Sequence, residues 1–196
     1  MNNSGTSFMT ELVVRVTGLS PGPARDLKRA DSHNPRGYWE YLPLRSYIWR
    51  HTGGNFRERD VPSSPGSCSA VRAKEIAAMA SAANVQVFKC FKFPWVYPWF
   101  GKPRQAILTR RAPGTVYKRH YKYQGWTLNE YRAVHAQYHD LAAKYLDEAW
   151  DVLWVHYEDF FADTQGAIKR VCSFLERPYH KRLLRVFRPR RPLWQA

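Results

Sequence analysis

The sequence predicts a layered α/β domain, a mostly parallel sheet with helices on both sides in three layers. Three observations carry this. "VQVFKCF" at 85–91, "QAILTR" at 105–110 and "DVLWVHY" at 151–157 are short apolar runs of strand length. Between the last two lies "TLNEYRAVHAQYHDLAAKYLDEAW", which suits a crossover helix, and strands alternating with helices build parallel sheets. Finally, "NNSGTSF" places small hydroxyl residues and a glycine directly before an amphipathic run.

That run is the first helix. Phe8, Leu12 and Val16 recur every four residues beside Met9 and Val13, and Gly18 is its stop. "NPRGYWEYLPLRSYIWRH" starts in a turn and continues as a broken helix, and "TGGNFRERDVPSSPGS" reads as loop. "CSAVRAKEIAAMASAAN" is helical by its alanines. Thr127 and Glu130 have capping-box spacing at the start of the long helix. Asp163 caps "TQGAIKRVCSFLE", where Ile168, Val171, Cys172 and Leu175 share a face. The tail from 178 to 196 is basic and proline-broken. With 196 residues and no internal repeat, a single domain over 1–196 is expected.

Hydrophobic residues make up 44% of the chain and aromatics 15%, which excludes a disordered composition. The 31 Lys and Arg against 16 Asp and Glu leave a formal charge of +15, favouring an anionic partner. Nucleic acid, a phosphorylated cofactor, an acidic polysaccharide and a membrane surface all fit that charge. Cys68, Cys90 and Cys172 are odd in number and widely spaced, arguing against a disulfide framework or metal spacing. A reducing, cytoplasmic location is the corresponding expectation. No run approaches the roughly 20 apolar residues of a membrane span. His135 and His139 stand one turn apart without an H-E-x-x-H pattern and read as a solvated helix face, so no metal is expected.

A helix N-terminus offers unpaired N–H groups and the positive end of a dipole, so it suits phosphate. "SGTSF" at a helix start, "NPRGYWE", "RRAPGTVYKRH" after a strand and "VHYEDFFADTQGAIKRVCSFLE" occur in that order. Together these segments resemble sulfotransferases that use 3′-phosphoadenosine 5′-phosphosulfate (PAPS), particularly the bacterial-type branch. The resemblance runs from Ser4 to about Leu175 and implies a P-loop-NTPase-like fold. In that family the loop follows a central strand, whereas only Met1, Asn2 and Asn3 precede it here. The expectation is a fold whose first strand is missing, from a late reading frame or a gene fragment. Any targeting segment would be lost with that strand.

The resemblance implies that Ser4, Gly5, Thr6 and Ser7 hold the 5′-phosphosulfate and that Phe8 lies against the adenine. It places the 3′-phosphate on Arg111 and Arg119, with Arg110 as a spare, and gives Tyr157 an adenine contact. Glu158 and Asp159 brace the following turn. Two departures stand out. Asn3 occupies the position of a basic residue before S-G-T, and Phe91 that of a catalytic histidine. Lys89, or Lys92, then supplies the cation for the leaving phosphate, and Glu40 becomes the base for a hydroxyl or amine acceptor. Trp39, Trp95, Tyr97 and Trp99 either line an acceptor pocket, for a carbohydrate or small molecule, or pack the core.

Two other readings remain open on sequence. Asn3, Phe91 and the missing strand favour a non-catalytic relative that binds a nucleotide or polyanion. The charge and the abundant aromatics suit a nucleic-acid-binding protein, with "KRLLRVFRPRRPLW" as its patch.

Overall fold

The computed structural model describes residues 6–30, 38–52, 70–90, 96–100, 105–114, 116–117, 125, 127–146 and 150–186. In chain order these form α1 (Thr6–Thr17), α2 (Leu42–His51), α3 (Ala70–Ala82), β1 (Gln105–Arg110), α4 (Leu128–Leu146), β2 (Asp151–His156), α5 (Asp159–Ala162), α6 (Thr164–Phe174) and α7 (Arg182–Val186). The described chain is mixed α/β and mostly helical.

Local signals govern the helix ends. Gly18 takes a φ of 71° and donates its N–H to the Val14 carbonyl at 2.8 Å, closing α1. At α4 the capping box forms in both directions: Thr127 N–H donates to Glu130 Oε2 at 2.6 Å, and Glu130 N–H to Thr127 Oγ1 at 3.2 Å. Asp163 accepts from Gly166 N–H at 2.8 Å and caps α6. The tail expected to be proline-broken carries α7 in its described part.

β1 and β2 pair in parallel from Gln105↔Asp151 to Arg110↔His156, with α4 in the connection between them. The sheet is smaller than the sequence predicts. Among the described residues it has two strands, and the run expected as a third, at 85–91, forms no ladder over 85–90. Its start is engaged elsewhere: Val85 bridges Pro21, and the N–H groups of Gln86 and Val87 both donate to the Ser20 carbonyl. Gly22, at φ 104°, fits this crossing because a Cβ there would lie 2.9 Å from Tyr41 and 3.1 Å from Val85. A cavity of about 740 Å³ is bordered by α1, 85–90 and β1.

Of the three apolar clusters among the described residues, two carry most of the core. Phe8, Met9 and Leu12 of α1 pack with Val155, Phe160 and the Ile168, Val171 and Cys172 face of α6. Leu44 and Ile48 of α2 pack with Ile76, Val96, Trp99 and Tyr138. Burial of whole side chains at about 25 cal/mol per Å² is what fixes α1 against β2 and so positions its first turn.

Candidate functional site

Ser7, in the first turn of α1, meets two distant segments. Lys89 Nζ donates to Ser7 Oγ at 3.0 Å and to the Tyr38 carbonyl at 3.1 Å, and it pairs with Glu40 Oε1 at 3.0 Å. Arg45 Nε lies 3.1 Å from the other carboxylate oxygen, Glu40 Oε2. The first turn of α1 carries no acidic side chain, so its dipole is not neutralised locally.

Backbone pairing sets this cluster. Lys28 N–H donates to the Glu40 carbonyl at 2.9 Å, and Leu27 bridges Tyr41, so 38–41 runs antiparallel to 27–28. Between Tyr38 and Glu40 the chain passes through Trp39 at φ 54°, a left-handed conformation costing a bulky residue about 1–3 kcal/mol. The same short segment delivers both the Tyr38 carbonyl and the Glu40 carboxylate to Lys89. The Lys28 ammonium sits 3.7 Å above the Tyr38 ring.

Burial pushes the Lys89 pKa down, and nearby Lys28 and Arg45 push the same way, while Glu40 opposes them. The lysine is therefore held charged by one carboxylate in surroundings that favour the neutral amine.

A second cluster lies at the carboxyl ends of both strands, the edge where open α/β sheets commonly bind ligands. Arg111 follows β1 and Tyr157 follows β2. Tyr157 N–H donates to the Arg110 carbonyl at 2.8 Å, and the Arg111 guanidinium stands 4.8 Å over the Tyr157 ring. The Glu158 side chain accepts from Ala112 N–H at 3.0 Å and braces the loop after β1, while its carbonyl accepts from Phe161 N–H at 2.9 Å in its own turn. Asp159 pairs with Arg170 at 2.6 Å and ties α5 to α6.

Phe8 connects the two clusters. Its ring meets Tyr157 edge-on at 6.0 Å and Phe160 at 4.9 Å, and it is buried. Ser7 and Phe8 are neighbours in sequence, one touching Lys89 and the other touching the ring beneath Arg111.

Of the residues singled out from sequence, Ser7, Glu40 and Lys89 thus come together, as do Phe8, Arg111 and Tyr157. Thr6 opens α1 and accepts through its carbonyl from Thr10 Oγ1 at 2.8 Å. Ser4, Gly5 and Arg119 lie outside the described residues, as do Asn3, Phe91, Lys92 and Trp95. Trp99 is 2% exposed in the core, against its alternative use in an acceptor pocket, and Trp39 and Tyr97 are half-buried. Arg45 and the Tyr38 carbonyl were not legible as site members, because only the fold brings them to Lys89.

The expected solvated face at His135 and His139 is corrected. His139 is 8% exposed and half-buried His135 lies against it, because α4 packs this turn toward Trp154 of β2, whose ring is 5.5 Å from His139. No group of three or more His, Cys, Asp or Glu placed for a metal ion occurs among the described residues. No described helix is long and apolar enough to cross a membrane. Compared with protein-family models, curated proteins and solved structures, the chain matches none.

Proposed function

We propose that the protein binds PAPS from the first turn of α1 to Arg111 and transfers its sulfuryl group to a hydroxyl or amine. One observation carries this reading: consecutive residues Ser7 and Phe8 join a lysine–carboxylate cluster to an arginine–tyrosine cluster. A nucleotide phosphorylated at both ends of its ribose needs two separate cationic contacts with an aromatic surface between them. In this reading the finer architecture is the P-loop-like sulfotransferase fold, with Ser4, Gly5 and Arg119 completing the two phosphate contacts.

By analogy with phosphoryl transfer, sulfuryl transfer is an in-line displacement governed by positioning and charge stabilisation. The acceptor oxygen or nitrogen attacks sulfur, and the bond from sulfur to the bridging oxygen breaks. Its electron pair stays on the 5′-phosphate of the departing adenosine 3′,5′-bisphosphate. Lys89 turns from Glu40 toward that oxygen and stabilises the new charge. The same movement uncovers Glu40 Oε1, which takes the acceptor's proton, while Arg45 holds Oε2 in place. Arg111 and Tyr157 keep the 3′-phosphate and the base.

A second reading, nucleotide binding without transfer, is favoured by the ion pairing of both Glu40 oxygens, which makes the carboxylate a poor base until Lys89 moves. Transfer of labelled sulfate from PAPS to a panel of phenols, sugars and amines separates the two. Product formation that Glu40→Gln abolishes supports the enzyme. Binding of the bisphosphate with no product on any acceptor supports the silent binder, and failure to bind ends both.

A further inference from the structure

The sheet is packed on both faces. Ile107, Leu153 and Val155 meet α1 and α6 on one, while Leu108, Val152 and Trp154 gather with Ala142 of α4 on the other. What remains of it is its edges. Tyr157 N–H donates to the Arg110 carbonyl, in a register that sets Arg110 beside His156. Parallel pairing then turns the N–H and C=O groups of Leu153, Val155 and Tyr157 toward β1, and those of Val152, Trp154 and His156 away from it. Among the described residues, no backbone–backbone hydrogen bond reaches this outer row.

Native edge strands are commonly guarded by lysine, proline or a bulge. β2 has none of these. Its ladder runs unbroken from Gln105↔Asp151 to Arg110↔His156, and "DVLWVH" contains no Pro, Lys or Arg. Asp151 and His156, at its two ends, are exposed. In a chain of formal charge +15, this strand lets a second copy approach without meeting a cation on the strand itself.

We propose that β2 pairs antiparallel with β2 of a second copy, about a two-fold axis centred on Trp154. A two-fold seam is self-complementary, and here every outward residue meets another outward residue. Trp154 stands opposite its counterpart, and Val152 opposite His156 in both directions. Each is a hydrogen-bonded pair exchanging both N–H···O=C bonds, so about six bonds form. The two sheets merge into one, in the order β1-β2-β2-β1.

Sedimentation of the full chain across concentration, with amide hydrogen exchange, tests this. A monomer–dimer equilibrium is expected, and it shifts toward dimer as salt screens the like charge of the two copies. As dimer forms, the Val152, Trp154 and His156 amides gain protection, whereas those of Leu153, Val155 and Tyr157 keep the protection they have. His156→Pro keeps the fold, because that N–H points outward, but removes two bonds by symmetry. It should weaken association at least about tenfold, while His156→Thr, which retains the N–H, associates as wild type does. A monomer at every concentration and salt, a dimer that His156→Pro leaves equally tight, or protection that misses the outer row overturns the proposal. If His156→Pro does not fold, the exchange pattern of the unaltered chain decides alone.

Discussion

Lys89 and Glu40, 49 positions apart in sequence, form an ion pair in which each side chain is only 9% exposed. Removing one member of a buried pair leaves the other charge inside with less compensation, at about 3–5 kcal/mol. Lys89→Met should lower the unfolding free energy by that amount in urea. Lys89→Met with Glu40→Met should return part of it, because apolar replacement of a pair is often neutral, while Arg45 loses the carboxylate it also pairs with. A single-variant loss below about 1 kcal/mol, the scale of an exposed pair, contradicts the burial assigned to it.

The lowered pKa of Lys89 gives a pH signature. Between that pKa and the ordinary lysine value the unfolded chain holds a proton that the folded chain has released, so stability of the free protein rises with pH through this window. Binding of an anion moves oppositely, since it needs the charged amine. Affinity for adenosine 3′,5′-bisphosphate should therefore fall as pH rises, before an exposed lysine would titrate. Lys89→Arg should flatten that fall, because a guanidinium stays charged. Calorimetry across alkaline pH checks this, and parallel pH profiles for the two proteins would count against Lys89 as the phosphate cation.

Phe8 is buried between Phe160 and Tyr157 and anchors the first turn of α1. Phe8→Ala should cost about 3–5 kcal/mol of stability in thermal or urea unfolding. Phe8→Leu should cost clearly less. Equal, small effects would place the ring outside the core.

Glu176 closes α6 at φ 52°, exposed, with its N–H on the Ser173 carbonyl at 3.0 Å. A left-handed residue with a Cβ is strained by roughly 1–2 kcal/mol. Glu176→Gly should raise the melting temperature, and a lowered one would contradict this backbone at the helix end.

What was legible in the sequence was what forms locally. The Gly18 stop, the Thr127–Glu130 box and the Asp163 cap each involve residues within four positions, and all three occur. The apolar face of α6 buries Ile168, Val171 and Cys172 as its spacing requires. The run at 85–91 misled because a strand needs a neighbour as well as a composition; its start pairs with the loop at 20–21 instead. His135 and His139 misled for the same reason: their spacing was visible, but β2 decides what covers them. Glu40, Lys89 and Ser7 each stand out in the sequence separately. Their mutual contact, and the part played by Arg45, depend on chain crossings that no local pattern encodes.

The most direct test measures binding of adenosine 3′,5′-bisphosphate and of the 3′- and 5′-monophosphates to wild type and Arg111→Ala by calorimetry. The account predicts that wild type binds the bisphosphate most tightly. Arg111→Ala should weaken the bisphosphate and the 3′-monophosphate by about 10–100-fold, the worth of a charged hydrogen bond, and leave the 5′-monophosphate unchanged. No bisphosphate binding by wild type, or an equal loss for all three nucleotides, would contradict a two-ended grip.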